Sequence, residues 1–195
     1  MTADELIAEI TMCFENEPFP GDLNIVTNNT PGYDLEALQI REAFKVHTWQ
    51  TLPDELMQYE NTAYCSLSAK GLKYYLPAYL QFAVRAYAEA DIIPDGLISL
   101  LTLPAEVDVV RSAFDIKRYQ IDEKLPEIDW GSFYQNRLRE LNESVRWSID
   151  RYSQFNPAQG RAIYHFLCFM RDEHGADYWN DELQLAIDRY WFQFA

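Results

Sequence analysis

The stretch SAKGLKYYLPAYLQFAVRAY, residues 68–87, decides the class of fold. Ser68, with Ser66 as the alternative, stands where a helix cap belongs, and Leu72 and Tyr75 come after it at helical spacing. Pro77 then either opens a successor helix in its first turn or kinks one long element. Leu80, Val84 and Tyr87 line one side of the segment beyond the proline. Tyr74, Tyr75, Tyr79, Phe82 and Tyr87 place rings on more than one face, and a helix apolar around most of its girth belongs at the centre of a core. The competing reading of the same aromatic surplus is a partner surface. The longest apolar run, Tyr74 to Ala88, is cut by Gln81 and Arg85 and falls short of the ~20 residues of a membrane span.

Helices are predicted on both sides of this stretch. Thr2 and Glu5 have capping-box spacing, with Leu6, Ile10 and Phe14 behind them, so a first helix covers about 3–15 and stops at Pro18, Pro20 and Gly21. Leu23 to Val26 reads as a short extended piece, and Asn28 to Gly32 as a loop. Leu35, Leu38, Arg41, Glu42 and Phe44 are helical, and Thr51 caps a short helix with Pro53, Asp54 and Glu55 in its first turn. Leu97 to Leu101 is too short a run to separate strand from helix. Further helices cover Val107 to about Leu125 and about 132 to 152. Asn156-Pro157 opens another, which ends near His174-Gly175 with glycine in a left-handed stop. Asn180 caps the last one, whose Leu183, Ile187, Tyr190, Trp191 and Phe194 dock on the core. The expectation is a mainly α fold: a single compact multi-helix domain over 1–195, with one short strand or extended segment.

The 195 residues carry 31 Asp and Glu against 16 Lys and Arg, a formal charge of −15. With 48% hydrophobic residues the chain is too apolar to be disordered. The charge is uneven. Residues 1–40 hold eight acids (Asp4, Glu5, Glu9, Glu15, Glu17, Asp22, Asp34 and Glu36) and no lysine or arginine. Such a field repels phosphate backbones, because nucleic-acid affinity rests on neutralising phosphates with Lys and Arg. Nucleic acid and anionic membrane are therefore disfavoured, and a basic protein partner is permitted. Cys13, Cys65 and Cys168 are too widely spaced for a disulfide framework or a zinc knuckle, and read as reduced core thiols. With no signal-peptide pattern at the start, the expected location is the cytoplasm.

Absent motifs exclude more than present ones establish. No two of the seven glycines lie closer than 11 residues, so no glycine-rich loop can bring backbone amides to a phosphate. No nucleophile elbow, zinc-protease helix or calcium loop occurs. His165, Cys168 and Asp172 fall at i, i+3 and i+7 on one helical face with ligand chemistry, and His174 is a possible fourth; the plainer reading is a core thiol, a satisfied ring and a surface acid. Glu89, Asp91 and Asp95 crowd a proline turn, where two carboxylates can serve as acid and base if one is desolvated; the plainer reading is turn chemistry. Cys65 reads as a buried thiol.

Two blocks are similar to known sequences. The first runs through Ile40-Arg41-Glu42-Ala43-Phe44, Trp49, Leu52-Pro53-Asp54-Glu55-Leu56, Leu67-Ser68, Tyr74 to Leu80 and Asp91-Ile92-Ile93-Pro94-Asp95. The second comprises Phe155-Asn156-Pro157-Ala158-Gln159, Ala162-Ile163, Phe166-Leu167 and Arg189-Tyr190-Trp191. Over about 3–104 and 153–192 the chain resembles a family of bacterial proteins known only as a domain of unknown function. The resemblance implies a small helical protein and supplies no catalytic residue. Residues 106–152 depart from the pattern and read as an inserted helical pair.

The leading expectation is a non-enzymatic acidic interaction protein, immunity-like or regulatory, that binds a basic protein and needs no cofactor. The rival is an enzyme or small-ligand binder that sets Glu42, Asp91 and Asp95 in a pocket lined by Trp49, Tyr74 and Tyr75. A third reading is a metal-dependent activity through His165, Cys168 and Asp172.

Overall fold

The computed structural model describes every residue except Pro31, Tyr33 and Asn180, so the cap assigned to Asn180 and Pro31 of the loop lie outside the described residues. The fold is mainly α. Eleven α-helices are present among the described residues: α1 Ala3–Phe14, α2 Leu35–Phe44, α3 Asp54–Tyr59, α4 Ala63–Ser66, α5 Ala69–Arg85, α6 Ile93–Leu101, α7 Glu106–Arg118, α8 Ile121–Lys124, α9 Trp130–Tyr152, α10 Pro157–His174 and α11 Glu182–Arg189. Contacts divide the chain into two compact units, one formed by Met1–Thr102 with Arg151–Ala195 and one by Leu103–Asp150. No helix among the described residues is long and apolar enough to cross a membrane.

In the larger unit α5 is the centre. Ser68 caps it by accepting from the Gly71 N–H at 3.0 Å, and the helix then runs unbroken through Pro77. Leu72 and every residue from Tyr74 to Leu80 are buried, as the aromatic pattern requires. The start of α5 is pinned from outside. The Ser68 N–H donates to the Ile25 carbonyl at 2.9 Å, the Thr27 N–H to that of Ser66 at 3.0 Å, and Val26 forms an antiparallel bridge with Leu67. Gly71 makes this approach possible, since a Cβ there would lie 2.0 Å from the Ile25 carbonyl oxygen. The extended piece expected at Leu23 to Val26 shrinks to that one bridge; Asp22–Asn24 is a 3₁₀ turn.

Around α5, α1 buries Leu6, Ile10 and Phe14 and packs on α5 and α10. Its capping box forms as the Thr2 and Glu5 spacing predicts. Asn156 and Gln159 make a second one at α10. The Leu97–Leu101 run is helix, α6, and its end is closed by distant residues. The last four carbonyls of a helix have no partner inside it. Here Ile98 O accepts from the Thr102 hydroxyl at 2.7 Å and Ser99 O from the Thr102 N–H at 3.2 Å. Leu100 O accepts from the Tyr152 hydroxyl at 2.5 Å and Leu101 O from the Trp191 indole at 2.8 Å. All four are satisfied, two of them by rings that are fully buried.

Several local expectations are corrected. Thr51 does not cap α3: it lies in a 3₁₀ turn, Trp49–Thr51, where it exchanges hydrogen bonds with Thr48, and α3 begins after Pro53. Gly175 has φ −56, so α10 ends not in a left-handed residue but by tightening into a 3₁₀ turn, Gly175–Asp177. The thiols are not core residues. Cys65 is exposed because the single turn α4 directs Ala63 and Tyr64 inward, and Cys13 and Cys168 lie half-buried at the edges of their helices' apolar faces.

The smaller unit is built differently. The helix predicted from Val107 to about Leu125 is two, α7 and α8, because Gln120 adopts a left-handed conformation at φ +54. Asp129 precedes α9 and accepts from the Ser132 N–H at 3.1 Å and its hydroxyl at 2.7 Å. Trp130, Phe133 and Tyr134 cluster in the first turns of α9. No apolar side chain between Leu103 and Asp150 is buried.

Candidate interaction surface

The N-terminal acids divide into two groups. Three are partly shielded and used by the fold: Glu9 pairs with His165 Nδ1 at 2.8 Å, Glu17 with Lys73 Nζ at 3.0 Å and Gln159 at 2.8 Å, and Asp34 caps α2 through the Ala37 N–H at 3.0 Å. The other five, Asp4, Glu5, Glu15, Asp22 and Glu36, are exposed, Glu5 while also closing the capping box of α1.

A second acidic surface joins two distant stretches of sequence. After α5 the chain turns through Tyr87, Glu89 and Asp91, with Asp91 in a left-handed conformation at φ +51, before Asp95 in the first turn of α6. Glu89, Asp91 and Asp95 are all exposed, so neither of the last two is desolvated as a buried acid–base pair is. The Tyr87 ring stacks on His174 at 3.6 Å and 10°; its hydroxyl donates to Asp177 at 3.2 Å and lies 3.3 Å from that of Tyr178. This brings the acidic turn beside residues 172–188, which contain Asp172, Glu173, Asp177, Asp181, Glu182 and Asp188 but no lysine or arginine. Burial, and then its bond with Tyr87, pushes the Tyr178 hydroxyl well above the usual range, with Asp95 and Asp177 adding to the effect. Burial also raises Tyr87. Both phenols stay protonated as donors. Trp179, 79% exposed, and Ile92, 44% exposed, add apolar area. Carboxylates beside aromatic faces suit guanidinium and ammonium groups.

Gly96 sets the position of Asp95. A Cβ there would lie 1.7 Å from the Tyr64 hydroxyl oxygen, so only glycine lets the first turn of α6 rest against that ring.

The other predicted site residues lie elsewhere. Trp49, Tyr74 and Tyr75 meet, but inside the core. Tyr74 packs edge-on against Tyr75 at 4.8 Å and Phe19 at 5.5 Å, and the Tyr75 hydroxyl donates to the Phe44 and His47 carbonyls at 2.9 and 3.1 Å. Glu42 is exposed and bonded to Lys45 and Arg41, which hold its carboxyl below the usual range. His165 turns to Glu9, while Cys168 lies half-buried and Asp172 pairs with Arg171 at 2.9 Å. Among the described residues no three His, Cys, Asp or Glu stand together as the ligands of a metal would.

One family model, described as a family of unknown function, DUF6714, matches residues 2–195. The chain belongs to that family. No curated protein and no solved structure matches it. The DUF6714 match is wider than the two blocks that carried the resemblance, and takes in α7, α8 and α9 as well as both acidic surfaces. Sequence reading missed Tyr87, His174, Asp177 and Tyr178 as a group. The acid-only run 172–188 was visible, but nothing in a linear chain joins Tyr87 to a residue 90 positions away.

Proposed function

We propose that this DUF6714 protein is a non-enzymatic acidic interaction protein, regulatory or immunity-like, whose partner is a basic protein. The observation that supports this most is that five of the eight N-terminal acids stay at the surface, in a stretch with no lysine or arginine to offset them. The Tyr87–Asp177 surface adds carboxylates beside exposed aromatic area. A surface of this sign speeds encounter with a cationic partner by ~10–10³-fold at low salt and disfavours polyanions. The reading places the protein in the cytoplasm, where its three free thiols stay reduced. The rival pocket has less support, since Trp49, Tyr74 and Tyr75 are core residues and Glu42 is occupied by Lys45 and Arg41.

The test is capture from the source organism's lysate at low and high salt, using wild type and a variant with Asp4, Asp22→Asn and Glu5, Glu15, Glu36→Gln. A basic protein held at low salt, released by high salt and lost from the variant is the expected outcome. Salt-sensitive capture of RNA or duplex DNA, or no partner at either salt, overturns the reading.

A further inference from the structure

On α7, Val107, Val110 and Phe114 succeed one another at three- and four-residue spacing and are 51%, 64% and 66% exposed. They form one stripe on the helix surface, since residues three, four and seven apart share a face. The remaining apolar residues of the helix, Val109, Ala113 and Ile116, are only half-buried. A contiguous apolar stripe of this kind on a soluble domain marks a surface that is covered in use.

The charges on α7 identify what covers it. The helix opens with Glu106 and Asp108 and closes with Lys117 and Arg118, so its two ends carry opposite signs on either side of the stripe. An antiparallel copy of the same helix, turned about a two-fold axis between Val110 and Arg111, lays Val107 on Phe114 of the second copy. The same rotation brings each acidic end onto a basic one. A parallel copy opposes like with like at both ends. Glu106 and Lys117 lie along one edge of the stripe, 11 residues or three turns apart, so a single rotation pairs them twice. Lys117 contacts Asp122 in its own chain but keeps 77% of its side chain exposed. Arg111, which comes nearest its own counterpart at the axis, stands between Asp108 and Asp115.

The overall charge favours this region as well. Residues 103–150 carry seven Lys and Arg against ten Asp and Glu, whereas the rest of the chain carries nine against 21. Net charge therefore opposes the meeting of two copies less through this region than through the rest of the chain. We propose that a second copy of this chain covers the Val107, Val110 and Phe114 face of α7 in an antiparallel, two-fold symmetric pair, closed at both ends by Glu106 against Lys117.

Sedimentation velocity and light scattering on the whole chain across the micromolar range test this. The expected result is a species of twice 22.9 kDa that Phe114→Asp converts to a monomer with an unchanged helical spectrum. Glu106→Lys and Lys117→Glu should each weaken the dimer at least about tenfold, and the two together should restore it, because the exchanged charges again face each other. A monomer at every concentration, or a dimer indifferent to Phe114→Asp, overturns the proposal. A dimer in which the double charge exchange gives no recovery overturns the antiparallel arrangement.

Discussion

Gly96 and Tyr64 show how a single atom fixes a surface. With its Cβ position 1.7 Å from the Tyr64 oxygen, Gly96→Ala forces either the ring or the first turn of α6 to move. Overpacking of this kind costs about 1–3 kcal/mol. The measurement is thermal unfolding of Gly96→Ala, Tyr64→Phe and the double variant. Removing the hydroxyl should recover part of the loss, so the two effects should not add. At the far end of the same helix Trp191→Phe removes the donor to Leu101 O and also leaves a cavity where the larger ring stood. A buried carbonyl left without a partner costs about 1–3 kcal/mol by itself, so denaturant titration should show a loss of at least that size. Both residues were visible in the sequence, Trp191 as a docking side chain and Gly96 as the neighbour of Asp95 in the proline turn. Their partners were not, because each contact joins positions far apart along the chain.

Among the elements, the helices with a strong internal signal are where the sequence places them. The Thr2–Glu5 box, the Ser68 cap and the Asn156-Pro157 start all form. The errors fall where tertiary contact or a backbone outlier overrides local pattern: Gln120 divides one predicted helix into two, and Val26 keeps only the bridge that Leu67 offers. The start of α9 makes a pH prediction. Hydrogen bonds from the Ser132 hydroxyl and N–H lower the Asp129 carboxyl below the usual value. A depressed folded value means that the charged form supports the helix at all pH above the ordinary carboxylate range of about 3.9, and that this support is lost as pH falls through the lower folded value. Asp129→Ala should therefore lose helical ellipticity relative to wild type at neutral pH, and the two should converge in strong acid. A difference that persists there would assign the effect to something other than the carboxylate.

For the whole molecule, helical spacing and caps foretold the mainly α class of fold. The Tyr74–Leu80 aromatics went to the core because a helix apolar around most of its girth belongs at the centre of one. Burial there, and of Trp49 in its own turn, removes Trp49, Tyr74 and Tyr75 from any open site, which residue types alone did not decide. The acids separated for a related reason. Glu9 and Glu17 each met a donor from a distant part of the chain, whereas Asp4, Glu15 and Asp22 did not become buried. Which acid finds a donor depends on how α1 packs on α10 and α5, and spacing along the chain carries no trace of it.

The bonds from Tyr152 and Trp191 to the end of α6 set an order in time. On the ribosome, residues 1–102 emerge well before the rings that close their last helix, and two buried carbonyls wait for chain not yet synthesised. The larger unit should therefore reach its native state only once Trp191 is free to fold back on it, slowed by the closure of so long a loop. Stalled chains ending before Trp191 should be cut readily by protease, and chains with all of residues 1–195 clear of the ribosome should resist it. Protease resistance in chains halted near residue 110 would show that the amino-terminal helices manage alone.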